Sequence, residues 1–163
     1  MYSDNMENKW VIFDLDGTIA DIEVRRKKCT STQRNGRMDW DCFFDPDNIS
    51  LDEPNIPVIE ILKKIALSGT KIIILSGRSN STQEVTEIWL SKYDIPYHLL
   101  KMRPTTDKWK YMPDDKLKKI WLDELFPGEK KKEIICTFDD RDKVVNMWRE
   151  NGLTCMQVAP GDF

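Results

Sequence analysis

The stretch "WVIFDLDGTIAD", residues 10–21, joins an apolar run to two aspartates that are separated by a single residue. Its apolar part is β-branched, short and unbroken, which is typical of a strand buried on both faces. Asp14 and Asp16 then stand where that strand ends, and Gly17 and Thr18 follow. Because two carboxylates at the mouth of a buried strand repel each other, this arrangement needs a compensating charge.

Further short apolar runs alternate with helical patterns along the chain. Strands are predicted over residues 9–13, 71–75, 133–138 and 154–159, with a weaker candidate over 97–102. Helices are predicted, from apolar residues at helical spacing and from their caps, over residues 55–69, 80–93, 113–126 and 140–152. This alternation predicts an α/β fold with a Rossmann-like, mainly parallel sheet flanked by helices.

Residues 21–54 break this alternation. The segment 23–37 holds six basic residues and one acid, whereas 39–53 holds six acids and no base. We interpret 21–54 as a small lid inserted after the first strand of a single domain that spans residues 1–163.

Two interpretations of the lid remain open. Its basic residues, with Trp40, Phe43 and Phe44 nearby, could clasp a phosphate and stack a base. Alternatively, the basic half folds against the acidic half, and the aromatic side chains attach the lid to the body. Trp109 and Tyr111, which stand beside two lysines, pose the same choice between a base platform and packing.

The composition narrows the class of protein. A chain of 163 residues with 40% hydrophobic and 33% charged residues is typical of one globular domain. A net charge of -3 argues against sequence-independent coating of nucleic acid, although it leaves room for a local basic site. No apolar run approaches the length of a membrane span, and the polar N-terminus is no signal peptide. We therefore expect a cytoplasmic protein with no membrane partner.

The cysteines argue against a structural zinc site. Four are present, no pair has C-x-x-C spacing, and His98 is the sole histidine of the sequence. Cys136 and Cys155 fall in apolar runs and are expected in the core. The sequence does not predict a role for Cys29 or Cys42. Without a signal peptide, the expected location is the reducing cytoplasm.

Polar groups end two further predicted strands. The second ends in Ser76-Gly77-Arg78, and the strand over 133–138 is followed by Asp139-Asp140-Arg141. Each motif alone is explained by a turn or a helix cap, but ligands of open α/β sheets lie outside the carboxyl ends of the strands. The joint occurrence of the three motifs therefore predicts one site.

The oxygen-only ligand set of this predicted site favours Mg²⁺ over zinc. A bound cation would offset the repulsion and hold Asp14 ionised, and an ionised carboxylate beside a phosphate is a competent nucleophile. Asp16 would then be protonated part of the time and act as general acid and base.

The motifs "DLDGT", "SGR" and "FDDR", in this order, resemble those of the haloacid dehalogenase superfamily of phosphotransferases. The segments 139–163 and 102–121 are similar to the 3′-phosphatase domain of phage-type polynucleotide kinase/phosphatases. The resemblance spans residues 9–163 and is weakest over 27–53. It implies a Mg²⁺-dependent phosphatase that forms an aspartyl-phosphate and removes 3′-phosphates from nucleic-acid ends or nucleotides.

The resemblance also implies roles for individual residues. Asp14 would attack phosphorus, and Asp16 would protonate the leaving oxygen and then activate water. Further catalytic groups would be Ser76 and Lys118. The substrate would be bound by Gly17, Thr18, Arg25, Gly77, Arg78 and Arg103. Mg²⁺ would be held by Asp14, the backbone carbonyl of Asp16, Asp139 and Asp140.

Two alternatives stay open at this stage. One is a small-molecule phosphatase, such as a nucleotidase, and the other is a non-catalytic binding module with the same fold. A dehalogenase is disfavoured because it would not need the acid at Asp16. The sequence lacks the G-x-x-x-x-G-K-[ST] loop of a kinase, so we expect a freestanding phosphatase without 5′-kinase activity. The choice between DNA and RNA and the oligomeric state are not predicted.

Overall fold

A five-stranded parallel sheet forms the centre of the protein, whose computed structural model describes residues 8–30 and 35–163. The strands are β1 (Trp10–Phe13), β2 (Ala20–Asp21), β3 (Glu53–Pro54), β4 (Lys71–Ser79), β5 (Leu99–Arg103), β6 (Ile134–Asp139) and β7 (Cys155–Gln157). In the sheet their order is β5-β4-β1-β6-β7, and β2 pairs with β3 separately. The strand that leads into Asp14 is therefore central, and its neighbours are the strands that carry the other two motifs. This architecture confirms the predicted fold class.

Eight α-helices connect the strands within the described ranges. They are α1 (Glu23–Cys29), α2 (Trp40–Phe43), α3 (Pro46–Ser50), α4 (Ile56–Leu67), α5 (Gln83–Lys92), α6 (Asp107–Lys110), α7 (Asp114–Leu125) and α8 (Asp142–Glu150). Two 3₁₀ turns, Asn80–Thr82 and Gly128–Glu133, complete the helical structure. The four predicted helices correspond to α4, α5, α7 and α8. In the part of the chain that is described, no helix is long and apolar enough to cross a membrane.

The alternation of side chains along β1 divides the core into two layers. Val11 and Phe13 pack on the side of α4, α5 and the lid, whereas Ile12 packs on the side of α7 and α8. Because all three side chains are fully buried, the strand is covered on both faces, as its unbroken apolar run predicts. Asp14 at its end is thereby held between two packed layers.

The segment 21–54 has its own small architecture. Antiparallel pairing of Ala20 with Pro54 and of Asp21 with Glu53 joins its two ends beside the end of β1. The short helices α1, α2 and α3 lie between these two strands. This segment, which we call the lid, is thus rooted four residues after Asp16.

A disulfide bond between Cys29 and Cys42 joins the end of α1 to α2. Cys136 and Cys155 are free thiols in the core, as predicted. Disulfide bonds are rare in a reducing cytosol, so the presence of this bond argues against the expected cytoplasmic location.

Candidate active site

Three carboxylates meet at the carboxyl edge of the sheet. Asp14 follows β1, Asp139 ends the neighbouring β6, and Asp140 is the next residue. One oxygen of each lies within 4.8 Å of the others, and all three residues are buried. An all-oxygen set of this kind fits Mg²⁺, which prefers carboxylate ligands. The side chain of Asp16 does not join this cluster but turns towards two arginines.

Lys118 of α7 is the cation that the fold itself supplies to this cluster. Its Nζ lies 2.6 Å from Oδ1 of Asp14 and 2.8 Å from Oδ2 of Asp139. Burial lowers the pKa of Lys118, but Asp139 and Asp14 outweigh it and raise the pKa above its usual value. The lysine is therefore held as an ammonium between two acids.

One ammonium does not neutralise three buried carboxylates. Burial raises the pKa of Asp14 well above its ordinary value; Lys118 opposes this rise, and Asp139 and Asp140 add to it. Burial and Asp139 likewise raise the pKa of Asp140 to about 6. A divalent cation among these groups would favour their ionised forms, so the charge balance also fits a metal site.

Gly17 and Thr18 shape the turn that follows β1. Gly17 has φ +83°, and a Cβ built on it would lie 2.1 Å from Oδ2 of Asp140, so both the backbone conformation and the space require glycine. The Thr18 hydroxyl lies 3.2 Å from Oδ2 of Asp14 and 3.5 Å from Oδ1 of Asp140. The turn thus brings two predicted substrate-binding residues against two predicted metal ligands.

Ser76, Gly77 and Arg78 lie within β4 rather than after it. The sequence places the end of this strand at residue 75, but pairing with β5 resumes at Ser79 after a register shift that follows Ser76. Such a bulge bends a strand and redirects its side chains, a feature that hydrophobic patterning does not reveal. Ser76 is buried, and its Oγ accepts a hydrogen bond of 3.2 Å from the backbone N–H of Arg78.

Two buried arginines hold Asp16. Nη2 of Arg25 lies 2.7 Å from Oδ1 of Asp16, and Nε and Nη2 of Arg78 lie 2.9 and 2.5 Å from the same atom. Burial raises the pKa of Asp16, but Arg78 and Arg25 outweigh it, so that the pKa is lowered. This differs from the expectation that Asp16 is partly protonated, because the sequence does not show that both arginines converge on it.

Asp52, at the base of the lid, completes this cluster and was missed by the sequence analysis. Its carboxylate accepts hydrogen bonds from Arg25 (3.0 and 2.7 Å) and from Arg78 (3.0 Å). Burial raises its pKa to about 6 although Arg25 opposes the rise. The sequence contained one indication of this role, the opposite charges of the two halves of the lid, which suggested that the halves fold against each other. The pairing of Arg25 with Asp52 is a contact of that kind.

Replacing Asp52 with Asn is expected to lower kcat/KM about 10- to 100-fold, because Arg25 and Arg78 lose a shared partner and small misplacements of positioning groups are costly. Phosphate release with Mg²⁺ measures the effect. Asp47→Asn, at an exposed position of the same lid, is the matched control and should behave like the wild-type protein. Equal activities of the two variants would contradict a positioning role for Asp52.

The structure does not bring Arg103 into the carboxylate cluster. It donates hydrogen bonds to the carbonyl oxygens of Gly77 (2.9 Å), Trp109 (2.7 Å) and Met112 (2.7 Å), and it pairs with Asp114. The guanidinium therefore ties the segment before α7 to β4. A Cβ on Gly77 would lie 2.6 Å from Oδ1 of Asp114, so the first residue of α7 packs directly on the backbone next to Ser76.

A central parallel strand with two acids at its end, flanked by strands that end in a serine motif and an acidic pair, defines a haloacid dehalogenase-type fold. Two solved structures of low identity agree on the fold. A phosphatase from Clostridium difficile has a TM-score of 0.64 at 16% identity and covers 91% of this chain and 84% of its own. A dehalogenase structure has a TM-score of 0.60 at 14% identity, and the match covers 92% of this chain and 84% of the dehalogenase chain.

The family described as "Polynucleotide kinase PNKP phosphatase domain" matches residues 8–163, and the chain belongs to this family. A chain of the Pnkp1/Rnl/Hen1 RNA repair complex is 38% identical with a TM-score of 0.75, and the match covers 98% of this chain and 45% of that one. A protein of Autographa californica nuclear polyhedrosis virus, described as a bifunctional polynucleotide kinase/RNA ligase, is 36% identical over 143 residues. That match covers 86% of this chain but 18% of the viral protein, so the chain spans less than half of either relative. The predicted resemblance is confirmed.

Proposed function

We propose that this chain is a Mg²⁺-dependent phosphatase that removes 3′-phosphates from nucleic-acid ends or nucleotides through an aspartyl-phosphate. The observation that carries the proposal is the position of Asp14, at the end of the central strand, between the Lys118 ammonium and the Asp139–Asp140 pair. A phosphate that enters this edge meets a carboxylate nucleophile beside the Lys118 ammonium, and a cation held by the three carboxylates would supply the further positive charge that phosphoryl transfer requires.

The residues divide the proposed reaction into two steps. In the first, an oxygen of Asp14 forms a bond to phosphorus while the bond to the ester oxygen breaks, and Asp16 gives that oxygen a proton. In the second, Asp16 takes a proton from water, whose oxygen displaces the Asp14 carboxylate and releases inorganic phosphate. Ser76 and the Lys118 ammonium would donate hydrogen bonds to the phosphoryl oxygens. When bound by Asp14, Asp139 and Asp140, Mg²⁺ supplies charge that neutralises the phosphate.

The hydrogen bonds of Asp16 leave one of its oxygens for the proton. All three hydrogen bonds from Arg25 and Arg78 reach Oδ1. Within residues 8–30 and 35–163, Oδ2 accepts no hydrogen bond from the protein. The arginines thus fix the orientation of the carboxylate through one oxygen, and we assign the proton transfers to the other. Because the arginines lower the pKa of Asp16, its role as the acid requires that the negative charge of the entering phosphate raises that pKa again.

The nucleic-acid substrate is supported by the family and by the relatives. The family is a polynucleotide kinase phosphatase domain, and one relative belongs to an RNA repair complex. A phosphorylated nucleic-acid end is therefore the substrate we propose, and the cytoplasmic location stays a prediction.

A 3′-phosphorylated oligonucleotide is expected to be hydrolysed with a kcat/KM at least about 10-fold above that of any 5′-mononucleotide, because binding contacts beyond the phosphate raise kcat/KM. Phosphate release from DNA and RNA oligonucleotides and from mononucleotides, with Mg²⁺ and with EDTA, measures the ranking and the metal requirement. The reverse ranking would indicate a nucleotidase. Absence of release from every substrate would indicate a binding module.

A further inference from the structure

The lid presents one large aromatic side chain to solvent. Trp40 is 60% exposed, whereas Phe43 is buried and Phe44 is half-buried. The indole stands edge-on to Phe43 with centroids 5.7 Å apart and lies nearly parallel to Phe44, at 18° and 5.9 Å. The indole is therefore held in place by two rings while more than half of its surface stays open to a further aromatic partner.

Arg25 links this aromatic group to the site. Its guanidinium carbon lies 4.2 Å from the centroid of the Phe43 ring, and its Nη1 donates a hydrogen bond of 2.9 Å to the Phe43 carbonyl. The same guanidinium holds Asp16. Arg25 and Phe43 thus form a continuous series of contacts between Asp16 and Trp40. Because stacked nucleotides rise by about 3.4 Å each, a strand of a few nucleotides is long enough to reach from a phosphate beside Asp16 to the indole.

A disulfide bond also links the helix that carries Arg25 to the helix that carries Trp40. Cys29 lies one helical turn after Arg25 on α1, Cys42 lies two residues after Trp40 on α2, and the disulfide bond joins them. The disulfide bond therefore holds α2, which carries Trp40, against α1, which carries Arg25, and this reduces the cost of ordering the two residues around a ligand.

We propose that Trp40 is a stacking platform for a base upstream of the terminal 3′-phosphate, so that the site favours single-stranded nucleic-acid ends over mononucleotides. This inference rests on the proposed function and adds the substrate class. Every base has a π-face, so stacking on an indole tolerates any sequence. Arg26, next to Arg25 and with 41% of its side chain exposed, lies 3.9 Å from an exposed Glu23 carboxylate and 4.7 Å from the centroid of the Phe163 ring. Its guanidinium is thus an exposed cation for the phosphate backbone of the same strand.

Tyr111 is a second exposed ring, but its surroundings do not connect it to Asp16. Its segment is held by Arg103, which contacts the backbone around Trp109 and Met112 and does not contact the acids of the site. Trp109 itself packs against the core on the side of α7 and α8, which resolves that residue in favour of packing. The link through Arg25 singles out Trp40.

The test compares Trp40→Ala, Trp40→Phe and Leu51→Ala on 3′-phosphorylated oligonucleotides of one to six nucleotides and on p-nitrophenyl phosphate. Loss of a stacked base should raise the KM of Trp40→Ala for the longer oligonucleotides about 10-fold more than its KM for p-nitrophenyl phosphate. Trp40→Phe should restore most of the affinity, because a benzene ring also stacks. Leu51, 62% exposed on the same lid, has no ring, so Leu51→Ala should keep the wild-type KM ratio.

The two proposals fail in different ways. Equal effects of Trp40→Ala on all substrates, or equal KM ratios for Trp40→Ala and Leu51→Ala, would overturn the stacking platform while phosphatase activity persists. Absence of turnover in the wild-type protein would overturn the proposed function. Fluorescence polarisation of a labelled hexanucleotide would then decide on Trp40 separately: weaker binding to Trp40→Ala than to Leu51→Ala supports the platform, and equal binding refutes it.

Discussion

Replacing Asp14 with Asn is expected to lower kcat at least about 1,000-fold, because the amide cannot attack phosphorus and the proposed reaction has no second route to an acyl phosphate. The variant should keep its fold. Asn is isosteric with Asp, and it removes one of three carboxylates that repel each other in a buried position. We therefore expect an unfolding midpoint in EDTA equal to or above that of the wild-type protein.

Two measurements check this result. Steady-state phosphate release gives the loss of turnover, and acid quenching with a ³²P-labelled substrate shows whether phosphate becomes bound to the protein. Wild-type protein should carry label that hydroxylamine removes, and Asp14→Asn should carry none. A variant that keeps a tenth of the turnover would exclude Asp14 as the nucleophile and with it the proposed mechanism.

Replacing Lys118 with Met is expected to have the largest effect on stability. The substitution leaves Asp14, Asp139 and Asp140 buried without their ammonium, and loss of one partner of a buried ion pair costs about 3–5 kcal/mol. Urea unfolding in EDTA measures this loss. Added Mg²⁺ should restore part of it, because a cation that binds only the folded state stabilises that state.

Lys119→Met provides the matched control on the same helix. Lys119 is partly exposed, with 38% of its side chain accessible, and it pairs with Asp123; a surface pair of this kind contributes within about 1 kcal/mol. Phosphatase activity should fall more than about 100-fold in Lys118→Met and stay near wild type in Lys119→Met. Similar stability losses in the two variants would show that the buried ammonium does not hold the carboxylates together.

The sequence predicted those parts of the site that short patterns encode. The unbroken apolar run before Asp14 indicates a strand covered on both faces, and a parallel sheet then brings its end beside Ser76 and Asp139. The helix that delivers Lys118 was predicted from its start signals. The family resemblance selects Lys118 from the neighbouring lysines of that helix, and in the structure Lys118 is buried against Asp14 and Asp139.

The remaining features depend on contacts between distant residues. Asp52 lies 27 residues after Arg25 and 26 before Arg78, so no local pattern shows that it joins both. The bulge after Ser76 depends on how β5 pairs with β4. The lowered pKa of Asp16 follows from the same convergence of two arginines, which hydrophobic spacing does not encode.

The bond between Cys29 and Cys42 has a practical consequence for anyone who purifies this protein. Closing a loop of this length stabilises a fold by about 3 kcal/mol in the chain-entropy account, and here the bond is anchored on α1, the helix that carries the arginine that orients Asp16. Dithiothreitol would reduce this bond, so a sample stored with it would lack the covalent link between α1 and α2 that a sample stored without it keeps. Their rates should be compared before either is taken as the activity of the protein.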